Sequence, residues 1–133
     1  MLGGSLRQHH ELPAFLRGLT ALAVPSIPTP SWKEQFGRVA AEAMTVGTPV
    51  IATDGSSLPE VVGPGGIIVP PSDAAALSDA IRSISDKATR AALSDEARRW
   101  ARQFRWDAVA AKHLGLYESV RDESVRRQSA RGL

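Results

Sequence analysis

Three short apolar runs constrain the fold of this chain most strongly. They occupy residues 21–24, 49–53 and 67–69, and a Pro or Asp residue follows each one directly. Stretches with helical character separate the runs. Continuously apolar strands that alternate with helices are typical of a parallel sheet covered on both faces. We therefore predict an α/β fold, a Rossmann-like parallel sheet with helices on both faces, followed by a helical C-terminal end.

Boundary residues define two of the predicted helices. Residues 36–46 are rich in Ala and Met, which favour helix, and Gly47 followed by Pro49 suits the end of this helix. Ser72 or Asp73 suits the cap of a later helix, because a short polar side chain can accept a hydrogen bond from a first-turn amide.

The last third of the chain is predicted to be helical, with its aromatic residues in the core. One helix is expected from about Ser94 and another from Trp106, because apolar residues recur there at helical spacing. The buried side of the last helix is expected to carry Val109, Ala110, His113, Leu114, Tyr117 and Val120. The expected core aromatics are Trp100, Phe104, Trp106 and Tyr117.

Three short strands make a narrow parallel sheet, because sheets usually have more strands. At least one edge would be open, and natural proteins normally cover such edges. We therefore expect further strands upstream, so that residues 1–120 form only part of a domain. Residues 121–133 are rich in Arg and Ser and are expected to be a basic, frayed tail.

Composition excludes several classes of protein. The 133 residues include no cysteine, so neither a disulfide framework nor a thiolate metal site is expected. A net charge of +2 makes no case for nucleic-acid binding. No apolar run has the length of a membrane span. We expect a cytoplasmic protein, with contact at the inner membrane face as the alternative. Arg98, Arg99, Arg102 and Arg105 are expected to form a solvated face, and anionic lipid is the less favoured partner for it.

The stretch 34–49 is the strongest candidate site. Glu34 precedes the predicted helix and Glu42 lies about one and a half turns inside it. Between them, the amides of Gly37, Arg38 and Val39 are expected to lack intrahelical acceptors. Free amides at the positive end of a helix dipole suit a phosphate. Carboxylates on either side could accept hydrogen bonds from sugar hydroxyls, so the stretch predicts a nucleotide-sugar site.

An ordinary structural explanation competes with this interpretation. Arg38 lies four residues from both Glu34 and Glu42. At that spacing either pair could be an exposed ion pair that stabilises the helix by a few tenths of a kcal/mol. His9 and His10 lack a neighbouring ligand set and are expected in a solvated loop, so no metal is expected.

The whole pattern resembles the C-terminal part of retaining GT-B glycosyltransferases of family four, also called group 1. The resemblance covers about residues 1–120. Its individual pieces are weak, but together they are specific. They are Glu11-Leu-Pro13, Val24-Pro-Ser26, Glu34 to Gly37, Glu42-Ala-Met44, Gly47 to Asp54, Leu58 to Val62, Ile67 to Pro70, Asp73 to Ala80, and Trp106 before the last helix.

The resemblance implies roles for six residues in binding a nucleotide diphosphate sugar. Glu34 would contact donor-sugar hydroxyls and Glu42 the ribose hydroxyls. The backbone of Phe36 and Gly37 would approach the sugar and phosphate, and the amides of Arg38 and Val39 would face the diphosphate. The resemblance also implies that no metal or other cofactor is needed, because basic side chains and a helix terminus take up the charge of the leaving diphosphate.

The chain departs from the family pattern after Asp54, where Gly55-Ser56-Ser57 occupies a place that is commonly richer in glycine. The family's upstream Arg/Lys pair and its acceptor-binding N-terminal lobe also fall outside this sequence. We therefore expect the isolated chain to be inactive. The alternative hypothesis is a non-catalytic, truncated module that associates with a partner chain or with itself.

Overall fold

A computed structural model describes residues 11–31 and 33–131 of the chain. The chain divides into two compact units, Met1–Ala101 and Arg102–Leu133. The first unit contains strands β1 (Leu22–Val24), β2 (Val50–Thr53) and β3 (Gly66–Val69). Its helices are α1 (Glu11–Arg17), α2 (Arg38–Thr45), α3 (Leu58–Val62), α4 (Ala74–Ser85) and α5 (Lys87–Ala101). The second unit contains a 3-10 turn, Arg102–Phe104, and helix α6 (Trp106–Arg131). His9 and His10 lie outside the described residues.

The three strands form one parallel sheet in the order β1-β2-β3. Leu22 pairs with Val50, and Val50 pairs with Gly66. All four residues of the central strand β2 are buried. The predicted parallel sheet is therefore confirmed, and its strands begin within one residue of the predicted starts.

Helices cover both faces of the sheet, as predicted. On one face, Ile51 and Val69 pack against Ala80 and Ile84 of α4. Side chains alternate along a strand, so Val50 points to the opposite face. There Gly66, its partner in β3, lies so close to Val62 of α3 that an added Cβ would lie 2.6 Å from a Val62 methyl. The sheet is thus a partial Rossmann-like layer.

One helix boundary differs from the prediction, and one predicted cap is observed. Helix α5 begins at Lys87 and not near Ser94. The reason is a cap that the apolar pattern did not reveal: the Asp86 carboxylate accepts a hydrogen bond of 2.8 Å from the Thr89 amide. The predicted cap of α4 is confirmed, because Asp73 accepts a bond of 2.9 Å from the Ala76 amide.

The predicted burial of the last helix is wrong. Trp106 is 88% exposed, Tyr117 67% and Leu114 62%. Apolar residues at helical spacing are buried only where another element covers them. Helix α6 shares its unit with a three-residue 3-10 turn, which is too short to cover its 26 residues. The helix also continues through Arg131, where a frayed tail is expected from the sequence.

The division of the sequence at residue 120 stays a prediction. Among residues 11–31 and 33–131, no helix combines the length and the apolar character that a membrane crossing requires.

A buried hydroxyl joins α1 to the start of β2. Thr48 is 2% exposed, and its Oγ1 donates a 2.7 Å hydrogen bond to the backbone oxygen of Leu16. Replacing Thr48 with Val keeps the shape and removes this bond, while the Leu16 oxygen keeps a 3.1 Å hydrogen bond from the Leu19 amide. The unfolding free energy should therefore fall by about 0.5–1.5 kcal/mol, the net contribution of one hydrogen bond, in urea titration. Thr45→Val is the control, because Thr45 is exposed and its hydroxyl bonds only the preceding turn of its own helix. A loss as large in the control as in Thr48→Val would contradict the assignment.

Candidate functional site

The candidate site lies at the carboxyl ends of β1 and β2, where ligands of open parallel sheets usually bind. The loop after β1 leads to α2, and the turn at 54–57 follows β2. A buried hydroxyl ties the two segments together, since Thr53 Oγ1 donates to the backbone oxygen of Ser26. The loop is therefore held against the end of the central strand.

Glu34 and Gly37 contact each other at the start of α2. Gly37 is the N-cap residue of α2 and lies just before the helix. Its amide donates a 3.0 Å hydrogen bond to Glu34 Oε1. The expectation that this amide is a free donor is therefore wrong, because the carboxylate three residues earlier occupies it. The next two amides, those of Arg38 and Val39, open the helix and have no acceptor within it.

The backbone at Gly37 requires glycine. Its φ of 71° and ψ of 47° are left-handed values, which cost other residues about 1–2 kcal/mol. An added Cβ would also lie under 3.0 Å from the Leu58 side chain, which is fully buried. The start of α2 thus lies so close to α3 that only glycine, which has no side chain, fits at position 37.

The Ser56-Ser57 departure from the family pattern has a local structural role. Ser57 Oγ donates a 3.4 Å bond to the backbone oxygen of Glu34, and Ser56 Oγ accepts a 3.4 Å bond from the Leu58 amide. The serines therefore join the turn after β2 to the Glu34 loop and to the first residue of α3.

Arg38 and Glu42 form an exposed ion pair. Arg38 Nε lies 3.1 Å from Glu42 Oε1, and the side chains are 79% and 36% exposed. Arg38 and Glu42 therefore form the ordinary exposed ion pair that their four-residue spacing allows. Glu34 turns instead toward Gly37. Pairs this exposed contribute about 0–1 kcal/mol, so a ligand can open this one at small cost.

An open cleft of about 420 Å³ lies beside Glu34. Arg38, Val39 and Glu42 are absent from the lining that the described residues provide. The structure therefore places Glu34 in the cleft lining and the other five predicted contacts outside it, on helix α2 or just before it. The lining consists of Lys33, Glu34, Gln35, Asp54, Gly55, Ser56 and Ser57.

Lys33 is a candidate functional residue that the sequence analysis overlooked. It is exposed at the cleft beside Glu34 and could contribute positive charge for an anion. Its position immediately before the motif glutamate was the available signal. Phe36 and Val39 are 46% and 39% exposed.

A metal-binding cluster is absent from the described part of the chain, where no three His, Asp or Glu side chains converge.

The fold and the cleft together define a partial Rossmann-like α/β domain of the GT-B type with an open carboxyl edge. The family model described as "Glycosyl transferases group 1" matches residues 2–100. The chain belongs to this family, which confirms the resemblance predicted from the motifs.

Named relatives agree with this assignment. The chain is 36% identical over 130 residues to a D-inositol 3-phosphate glycosyltransferase of Corynebacterium glutamicum, covering 95% of this chain and 30% of that protein. It is 36% identical over 115 residues to an MMP alpha-(1->4)-mannosyltransferase of Mycolicibacterium hassiacum, covering 83% and 27%.

A solved structure supports the fold directly. Sucrose-phosphate synthase from Thermosynechococcus elongatus superimposes with a TM-score of 0.68 at 35% identity, covering 87% of this chain and 29% of that one. The chain therefore spans less than a third of the length of each of these proteins.

Proposed function

We propose that this chain is the donor-binding part of a glycosyltransferase that moves a sugar from a nucleotide diphosphate sugar to an acceptor with retention. The observation that supports the proposal is the start of α2, where the exposed residues Arg38 and Val39 open the helix directly after Gly37, while Glu34 of the preceding loop lines an open cleft. Family membership and the sugar-transferring relatives support the same class of activity.

The proposed donor contacts divide between the cleft and the helix. The amides of Arg38 and Val39 receive the diphosphate, because the positive end of the helix dipole favours an anion there. Phe36 and Gly37 supply the backbone that approaches the sugar and phosphate. Glu34, with one oxygen bonded to Gly37, offers the other to donor-sugar hydroxyls.

The Arg38–Glu42 pair becomes part of the binding step in this proposal. A diphosphate at the helix tip attracts the Arg38 guanidinium and thereby releases Glu42 for the ribose hydroxyls. Charge-assisted bonds to those hydroxyls are about twice as strong as neutral ones. Arg38, Lys33 and the helix terminus stabilise the charge of the leaving diphosphate, so the proposal includes no metal or cofactor. It also retains the cytoplasmic location expected from the sequence.

A titration of the purified chain with a panel of UDP-, GDP- and ADP-sugars tests the donor site. Amide NMR signals of Gly37, Arg38 and Val39 should shift on addition of one of these compounds, with smaller shifts at Ser56 and Ser57. An absence of shifts at the start of α2 with every donor would refute the proposal. We further propose that the isolated chain is inactive because a separate acceptor-binding lobe must complete the site. Transfer of sugar by the chain alone would refute this second statement.

A second candidate function is a non-catalytic module that associates with a partner chain. The observation in its favour is β1, which is an edge strand of the sheet that the described residues form and is only partly buried. Pairing with another strand would satisfy the open side of β1. Size determination in solution separates this candidate from the first, because it requires stable association without any nucleotide sugar.

A further inference from the structure

A second cleft, lined by positive charge, lies at the opposite end of the sheet from the candidate donor site. It encloses about 310 Å³. Residues that precede β1 and β2 form one wall, and one face of α5 forms the other. Its lining consists of Arg17, Leu19, Thr20, Val46, Gly47, Thr48, Pro49, Lys87, Arg90, Ala91, Ser94 and Arg98. We call it the basic cleft. A strand of four residues is about 13 Å long, so the two clefts are separate sites.

The lining that the described residues provide contains four cations and no carboxylate. The cations are Arg17 at the end of α1 and Lys87, Arg90 and Arg98 on α5. The whole chain has a formal net charge of only +2. The basic cleft is therefore a local concentration of positive charge and not a consequence of a basic protein.

Two of these cations have partners within the chain. Arg90 Nη1 donates to the backbone oxygens of Ile84 and Ser85 at 3.0 and 3.2 Å, which closes the end of α4. Arg98 Nη1 lies 3.3 Å from Asp95 Oδ1, with the Arg98 side chain 53% exposed. An exposed pair of this kind leaves most of the guanidinium charge available.

Arg17 and Lys87 are exposed, and no ion pair joins either to a carboxylate of residues 11–31 or 33–131. They approach the cleft from two different helices. Two unpaired cations held on opposite walls suit a ligand that carries more than one negative oxygen.

The position of the charges on α5 is unfavourable without a counterion. Lys87 and Arg90 lie in the first turn of α5, which contains no acidic residue. The helix dipole disfavours cations there. Asp86 offsets part of this cost just before the helix, where its bond from the Thr89 amide lowers the pKa of its carboxyl. An anion bound in the cleft would further reduce the unfavourable interaction of these cations with the helix dipole.

The cleft floor is rigid. Ser94 Oγ donates a 2.6 Å bond to the backbone oxygen of Gly47. Gly47 has a φ of 84°, and an added Cβ would lie under 3.0 Å from the Arg98 guanidinium, which therefore packs directly on the backbone. The arginine and the strand entrance thus hold each other in place before any ligand arrives.

We propose that the basic cleft binds a phosphate-bearing anion, a phosphomonoester or diphosphate group, at a site separate from the donor cleft. A small phosphorylated molecule and a phospholipid headgroup share this chemistry. Arg17 and Lys87 supply the unpaired charges, Arg98 adds a planar guanidinium suited to phosphate oxygens, and the cleft is large enough for the group. This proposal does not depend on the function proposed above.

The test titrates the full 133-residue chain with inorganic pyrophosphate and follows amide NMR signals. Shifts are expected at Gly47, Thr48 and Ser94, separately from any at Val39. The Arg17→Gln/Lys87→Gln double variant should weaken binding at the basic cleft about tenfold, because the loss of two exposed ion pairs together amounts to a factor of this size. Both residues are exposed, so the fold should be retained, and circular dichroism checks this.

The matched control is Arg82→Gln/Arg99→Gln. It removes two charges from exposed ion pairs on α4 and α5 that do not line the cleft. Binding in this control should be unchanged within twofold. Equal weakening in both double variants, or an absence of shifts at Gly47 and Ser94, would overturn the proposal.

Vesicles identify the source of the anion. Phosphatidylcholine vesicles containing phosphatidic acid should sediment the wild-type chain, and not the Arg17→Gln/Lys87→Gln variant, if the ligand is a headgroup. Pyrophosphate binding without sedimentation supports a free phosphorylated molecule. Binding of neither probe overturns the proposal.

Discussion

Replacing Glu42 with Ala should weaken nucleotide-sugar binding about 10- to 100-fold, with little loss of stability. The physical reason is that the carboxylate accepts charge-assisted hydrogen bonds from ribose hydroxyls in the proposed complex, which contribute about 1.5–3 kcal/mol. In the structure without ligand, the same carboxylate only pairs with Arg38 at 36% exposure. Loss of that pair should change unfolding free energy by no more than about 1 kcal/mol. Calorimetric titration and urea unfolding measure the two effects on one sample.

The matched control for Glu42→Ala is Glu60→Ala. Glu60 is an exposed carboxylate in the first turn of α3 and does not line the cleft. Donor affinity should be unchanged in this control. An unchanged affinity in Glu42→Ala would count decisively against the ribose role and leave the Arg38–Glu42 contact as an ordinary surface pair.

Replacing Gly37 with Ala should lower unfolding free energy by about 2–5 kcal/mol and abolish donor binding. The left-handed backbone at a φ of 71° costs about 1–2 kcal/mol for alanine. The new methyl group would also collide with the Leu58 side chain, which is 0% exposed. Overpacking of this kind costs about 1–3 kcal/mol. The start of α2 would shift. The amides of Arg38 and Val39 would then no longer point toward the proposed diphosphate position, and donor binding would be lost.

Gly115→Ala provides the control for a glycine substitution without these constraints. Gly115 lies inside α6, and an added Cβ would meet nothing within 4 Å. Alanine favours helix over glycine by about 1 kcal/mol, so this variant should be neutral or more stable. Urea unfolding of both variants is the measurement. A Gly37→Ala protein within about 0.5 kcal/mol of the wild type would show that the close approach to Leu58 is unimportant.

The sheet could be predicted because its signals are local. Strand β2 is a continuous apolar run between Pro49 and Asp54, and every residue of it is buried. The cap of α4 at Asp73 follows from one side chain and an amide three residues later. Such features depend only on residues that are close in sequence, so the sequence alone is enough to predict them.

The start of α5 and the environment of α6 could not be predicted in the same way. The cap at Asp86 competes with several other polar residues nearby, and apolar periodicity does not identify which one begins the helix. Trp106 and Tyr117 could be buried only if another element covered them. Helical periodicity indicates that a helix has an apolar face, but it does not show whether anything packs against that face.

For the site, residue identities alone were enough to select Glu34, Gly37, Arg38 and Glu42 and to assign the family. The folded arrangement decided which of their atoms are already engaged: the Gly37 amide by Glu34, and Glu42 by Arg38. It also assembled the basic cleft from Arg17 and α5, which are far apart in the chain. Hydrogen bonds and clefts depend on distances through space, and the order of residues specifies those distances only after the chain has folded.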